Sequence, residues 1–275
     1  MLDVDEAPAG PIDKKGNTCI IDVVQYEQVH RWVLQRSPEN DDWESKYQRY
    51  KDLTLGKGRQ RILNAAKVVG YFPWLRSQLI NDDMCRFKRL ANGPDFNALS
   101  YNSYTINGYI FCTAESEKNA TTQNSGVSID AVTQFRSSAR DKNYVVETTT
   151  YYGIIRQILE INYYDFKEVV FYCDWVRIED TVNGCVTDKE LDLRYVNFSR
   201  FKNNSRENDE PCILASEAKQ VFYIKDVTRD DWYVVRDAPK RLCREVDAYE
   251  DPLVFEARME SNNIFQNAIV EDALD

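Results

Sequence analysis

Few residues in this chain could do chemistry, and their spacing limits what that chemistry would be. Asp174 lies in the middle of VVFYCDWVRI, between apolar neighbours. A carboxylate held rigidly on a strand is what a two-magnesium nuclease of the ribonuclease-H type needs as its first metal ligand. That architecture also requires a βββαβ order, which the surrounding pattern lacks, so local hydrogen bonding of Asp174, or its pairing with an arginine in the barrel, is the simpler expectation. Glu179 and Asp180 follow at a turn. His30 is the only histidine, so any Ser-His-Asp or Cys-His arrangement would have to use it. It stands beside Val29 and two residues before Trp32 on a helical pattern, which suits a structural imidazole. Seven cysteines are scattered with no C-x-x-C, which argues against structural zinc and for reduced thiols in a nuclear or cytosolic protein. The expectation is no catalytic residue, no metal and no cofactor; a metal-dependent nuclease using Asp174 is the alternative that would overturn it.

Binding chemistry is better represented. Aromatic residues make up 12% of the chain, with 17 tyrosines. Tyr151, Tyr152, Tyr163, Tyr164, Tyr172, Trp175, Phe222, Tyr223, Trp232 and Tyr233 fall within strand-like runs. Side chains alternate across a strand, so about half can point outward. Tyr152, Tyr172, Trp175, Tyr223 and Trp232 are the expected surface set: a cage for a methylated lysine through cation–π attraction, or a peptide groove. Ordinary core and cross-strand packing is the plainer use of the same residues. A second candidate is basic. Lys57, Arg59, Arg61, Arg86, Lys88 and Arg89, with Lys67 and Arg76 between them, could meet DNA phosphates. The plainer reading there is a solvated helix face.

Charge is unevenly placed. The 275 residues carry a net charge of −10, which excludes a general nucleic-acid binder. Residues 57–89 hold eight Lys/Arg against two Asp/Glu, and 237–275 hold four against ten. An acidic segment and a basic middle therefore coexist, and the first could compete with DNA for the second. The opening MLDVDEAPAG has no apolar core of a signal peptide, and no run approaches a membrane span.

The elements that would position these residues change period along the chain. Asp22 with Gln25 resembles a capping box before a helix that aligns Tyr26, Val29 and Val33. Ser37-Pro38 can start a second helix, with Trp43, Tyr47, Tyr50 and Leu53 on one face. A third spans Gly58 to Val69 and aligns Ile62, Ala66 and Val69. A fourth has Pro73 in its first turn, carries Leu75, Leu79, Ile80, Met84, Phe87 and Leu90, and ends at Asn92-Gly93-Pro94. YTINGYIF then reads as a hairpin about Asn107-Gly108, and Val127 to Val132 as a strand. Strands are expected at Tyr151–Tyr163, with Gly153 as a bend, at Val169–Ile178, Leu191–Phe201, Val221–Ile224 and Trp232–Val235, with one helical turn at Ala215–Ala218. Both faces of Val169–Ile178 are apolar, as in a strand covered on both sides. Five short strands with one long connection is an SH3-like or OB-like pattern.

YYGIIRQILE, VVFYCDW and ILASEAKQVFYI resemble the transposase-associated domain of unknown function in plant En/Spm (CACTA) transposon proteins, and VHRWVLQRSPE, RLANGPDFNALSYNSYTINGYIF and TTQNSGVSIDA resemble the segment before it. The resemblance runs from about Val29 to Asp251. It implies plant origin, a nuclear setting and a history in DNA transposition. It carries over no functional residue, because that domain has no assigned active site and the presumed transposase core has no counterpart here.

The expected fold is α+β: an N-terminal helical segment followed by a small antiparallel SH3-like β-barrel. Its expected parts are a disordered acidic tail at 1–18, the helical segment at 19–95, a hairpin and polar connector at 96–148, the barrel at 149–237, and an acidic, largely disordered tail at 238–275. The expected function is a non-catalytic module that binds protein or chromatin through the barrel, with a DNA-binding accessory factor acting through the basic helices as the alternative. The sequence leaves the oligomeric state open.

Overall fold

The computed structural model describes residues 9–13, 15–135, 145–191 and 193–239. In chain order the strands and helices are β1 (Gly10–Pro11), β2 (Asn17–Ile20), α1 (Val23–Gln35), α2 (Asn40–Leu55), α3 (Gln60–Asn64), α4 (Tyr71–Gln78), α5 (Arg86–Asn92), β3 (Asn97–Tyr101), β4 (Ser103–Ile106), β5 (Tyr109–Cys112), β6 (Gly126–Phe135), β7 (Val145–Asn162), β8 (Lys167–Trp175), β9 (Cys185–Asp188), β10 (Leu193–Asn197), β11 (Cys212–Leu214), β12 (Lys219–Lys225) and β13 (Trp232–Asp237). Single 3-10 turns lie at Ala65–Lys67 and Ala215–Glu217.

Strands dominate and form two antiparallel sheets. One is the three-stranded sheet β1-β4-β5. The other has ten strands and runs β11-β8-β7-β6-β12-β13-β10-β9, with β3 joining β7 to β2. β7 organises it. With 18 residues at about 3.4 Å each it extends roughly 60 Å. Its first half pairs with β6, from Val145 opposite Phe135 to Ile154 opposite Gly126. Its second half pairs with β3 through Ala98–Tyr101, while β8 takes the other edge from Gly153 to Asn162.

This arrangement overturns the expected helical segment plus SH3-like barrel. Individual strands fall close to where the residue pattern puts them, but they do not close on one another. β7 is too long for the wall of a small barrel, and it pairs with β3 and β6, which precede the expected barrel. Among the described residues no pairing joins β9 to β11, so the large sheet stays open. The expected boundary between residues 148 and 149 falls inside β7. Gly10–Pro11 pairs with Tyr104–Thr105, and Asn17–Ile20 with Asn97–Ser100, so part of the expected disordered N-terminal tail is in strands. Residues 1–8, the part of the polar connector at 136–144 and the acidic segment from 240 onward lie outside the described residues.

The apolar character of both faces of β7 and β8 has a direct cause. Helix α1 covers one face, where Gln25 Nε2 donates to Gln157 Oε1 and the Tyr172 hydroxyl donates to Gln28 Oε1 at 2.9 Å. The three-stranded sheet covers the other, with Phe111 on Phe171 at 4.9 Å between ring centroids. Asn107 and Gly108 both adopt positive φ, as a two-residue hairpin turn between β4 and β5 requires. Asp22 caps α1 by accepting from Gln25 N, and Tyr26, Val29 and Val33 are buried. The single fourth helix of the sequence reading is two helices, α4 and α5, that bury Trp74, Leu75, Phe87 and Leu90. A second, smaller core forms where β12, β13 and β10 curl over the β6–β7 pair. It contains Tyr152, Val176, Val196, Val221 and Tyr223.

Candidate functional site

The aromatic set separates by face. Tyr152 and Tyr223 are 6% and 7% exposed and belong to the second core. The Tyr223 hydroxyl donates to Gly153 O at 2.8 Å, and the Tyr152 hydroxyl accepts from Arg194. Tyr172 is half-buried against α1, and burial pushes its phenol up to about 12. Trp232 is half-buried with the Arg229 guanidinium 4.6 Å from its ring. These four side chains do not converge on one cavity. Trp175 does line a cavity, and its partner there is Tyr151, one residue from the expected Tyr152 and on the opposite face of β7.

That cavity is a groove of about 500 Å³. Ile129 of β6, Tyr151 of β7 and Trp175 of β8 form its strand side, Trp32 comes from α1, and Lys202, Asn203, Asn204, Asp209 and Glu210 form the opposite wall. The wall is tied down. Lys202 N donates to Trp175 O at 2.7 Å. Asn204 Nδ2 donates to Cys173 O at 3.1 Å, and the buried Gln28 donates to the carbonyls of Asn204 and Arg206. The Trp175 indole donates to Pro211 O at 3.1 Å. Cys212 lies at the base, and burial pushes its thiol well up.

The electrostatics favour a cation. Lys202 Nζ stands 4.4 Å from the centroid of the Tyr151 ring and 2.6 Å from Glu179 Oε1. Asp209 and Glu210 add carboxylates to the same lining. An ammonium group over an aromatic face, held by a carboxylate, is how proteins bind alkylammonium ligands. Trp32 Nε1 is buried and has no hydrogen-bond partner among the described residues.

Asp174 takes the arginine pairing expected of it. Its Oδ2 accepts from Arg156 Nε at 2.6 Å, and Oδ1 lies 3.3 Å from Asn204 Nδ2. Arg156 is the residue left out of register by the irregularity between Ile155 and Gln157. Among the described residues no group of three His, Cys, Asp or Glu could hold a metal ion.

The six basic candidates also separate. Arg86 pairs with Glu168 and Arg89 with Asp165, both on the β7–β8 connection side. Lys88 donates to the carbonyls of Ile80 and Asp82. Lys57, Arg59 and Arg61 are exposed around α3, and among the described residues only Arg61 has a carboxylate near it, Asp52 at 4.0 Å.

The wall residues Lys202 to Glu210 were not picked out in the sequence. The signal available is the polar run KNNSRENDE between an aromatic strand and the apolar CIL, in a chain whose other long connections are less polar.

Residues 159–235 match a family described as a domain of unknown function, DUF4216. The match starts inside β7, so it takes in Trp175 and the polar wall but leaves out Trp32, Ile129 and Tyr151. No curated protein and no solved structure matches the chain. No described helix is long and apolar enough to cross a membrane.

Proposed function

We propose that the chain is a non-catalytic interaction module, of plant CACTA-transposon descent and nuclear setting, that holds a basic segment of a protein or chromatin partner in the Tyr151–Trp175 groove. The observation that carries this reading is Lys202: the groove already holds an ammonium group between the Tyr151 ring and Glu179. A partner lysine or methylated lysine would take that place, and the net charge of −10 would draw basic segments toward it. The descent and setting rest on the sequence resemblance, which the matched domain of unknown function accompanies.

Binding of the full chain to a histone-tail peptide array tests this. Tyr151→Ala removes a cation–π partner of about 0.5–2 kcal/mol, which weakens binding roughly two- to thirtyfold. Lys202→Ala vacates the wall and strengthens it. Circular dichroism checks that both variants fold. Peptide binding indifferent to both substitutions would sink the reading. A salt-sensitive DNA shift lost in Lys57→Ala/Arg59→Ala/Arg61→Ala would favour the DNA-accessory reading instead.

A further inference from the structure

We propose that a second groove, between α2 and α4, is the docking site of the chain's own acidic segment 264–275. Helix α2 packs Trp43, Tyr47 and Tyr50 against the core. Leu53 near its end is 84% exposed, and Ile62 and Leu63 just beyond are 81% and 76% exposed. Clustered bare aliphatic residues beyond a packed stripe mark a contact surface. Beside Leu53 lies a cavity of about 630 Å³, where Tyr50, Val69, Pro73 and Trp74 supply apolar lining and Lys46 and Arg49 supply charge. Residues 46–67 hold seven Lys/Arg against one Asp, within a chain of net charge −10.

An occupant must therefore offer apolar side chains next to carboxylates. Segment 264–275 reads IFQNAIVEDALD: Phe265, Ile269, Val270 and Leu274 beside Glu271, Asp272 and Asp275, with no Lys or Arg. An apolar segment laid in a groove and flanked by matching charge is a common recognition mode. The 24 residues from 240 to 263 could extend about 80 Å at roughly 3.3 Å each, enough to cross a domain of this size. Tethering also gives the segment a high effective concentration at the groove. A nucleic acid would neutralise the lysines and arginines but leave Leu53, Ile62 and Leu63 in water, so the acidic apolar segment fits this surface better.

Zero-length carbodiimide coupling of the full chain, mapped by mass spectrometry, tests the assignment. Links are expected from Lys46, Lys51 and Lys57 to Glu271, Asp272 and Asp275, with a yield independent of protein concentration. Leu53→Asp should lower that yield about tenfold, since it removes one apolar anchor. The substitution is at an exposed side chain, and far-UV circular dichroism verifies that the helices persist. Absent links, or links that Leu53→Asp leaves unchanged, overturn the proposal. So do links that form only between isotopically distinct copies, which would assign the groove to a second molecule.

Discussion

Replacing Gly153 with alanine tests the packing of the central sheet at the point where both cores meet. An added Cβ would lie 2.7 Å from Trp175 Cε3, 3.1 Å from Cζ3 and 2.8 Å from the Asp174 carbonyl oxygen. Neither obstacle moves easily. Trp175 is 4% exposed and its indole is bonded to Pro211 O, while Asp174 O belongs to the ladder of β8. Overpacking of this kind costs about 1–3 kcal/mol. Reduced freedom of the unfolded chain returns about 0.4–1 kcal/mol of that. The Gly153 carbonyl also accepts the buried Tyr223 hydroxyl, and any backbone shift that relieves the overlap strains a bond of about 1 kcal/mol. The net expectation is a loss of about 1–3 kcal/mol, read as a lower urea midpoint at unchanged m-value. Two further glycines calibrate the series. At Gly126 the new carbon would lie 2.1 Å from the backbone oxygen of Val221, so Gly126→Ala should cost more than Gly153→Ala. At Gly10 no atom of the described residues lies within 4 Å, so that variant should stay within about 0.5 kcal/mol of the parent. If Gly153→Ala proves as neutral as Gly10→Ala, the close approach of Trp175 to β7 is wrong, and with it the strand side of the groove.

Local features were legible in the sequence wherever a short-range rule fixed them. The cap at Asp22, the Asn107-Gly108 turn, the stop at Asn92-Gly93 and the one helical turn after Leu214 all follow from residues within a few positions of one another. The strands of the last third were legible for the same reason. Their partners were not. Nothing in the run from Val145 to Asn162 states that one half will pair with β6 and the other with β3, because the β3 residues lie more than 50 residues earlier in the chain. The apolar second face of β8 was read correctly as covered. It did not say whether the cover would be a barrel wall or a separate hairpin carrying Phe111. The site suffered from the period of two. Tyr151 and Tyr152 are equivalent to any composition argument, and the register of β7 on β6 sends Tyr152 inward to the second core and Tyr151 to the groove. For the basic run, charge content alone does not reveal that Glu168 and Asp165 engage Arg86 and Arg89.

Two more predictions concern titration and thiol access. Alkylation of the native chain should modify the exposed Cys85 early and spare Cys173 and Cys212 until the urea transition, since both are buried and burial pushes their thiols up; peptide mapping by mass spectrometry reads this directly. His30 should make stability fall in mild acid. Its side chain is fully buried and stacked on Phe72 at 4.4 Å, and Nε2 lies 2.8 Å from the Leu90 carbonyl oxygen, which fixes Nε2 as the protonated nitrogen. Nδ1 then has no partner among the described residues, so a second proton would put an uncompensated charge into a buried site. Burial accordingly lowers the imidazole from 6.5 to about 4. Between those values the unfolded chain binds the proton and the folded chain does not. Stability is therefore whole above pH 6.5 and declines as pH falls toward 4, by about 3 kcal/mol if the shift is fully expressed. Urea midpoints measured from pH 7 to pH 4 should show that decline, and His30→Gln, though less stable at neutral pH, should flatten it. An equal slope in the two proteins would mean that carboxylates carry the acid sensitivity and that the imidazole between α1 and α5 is solvated.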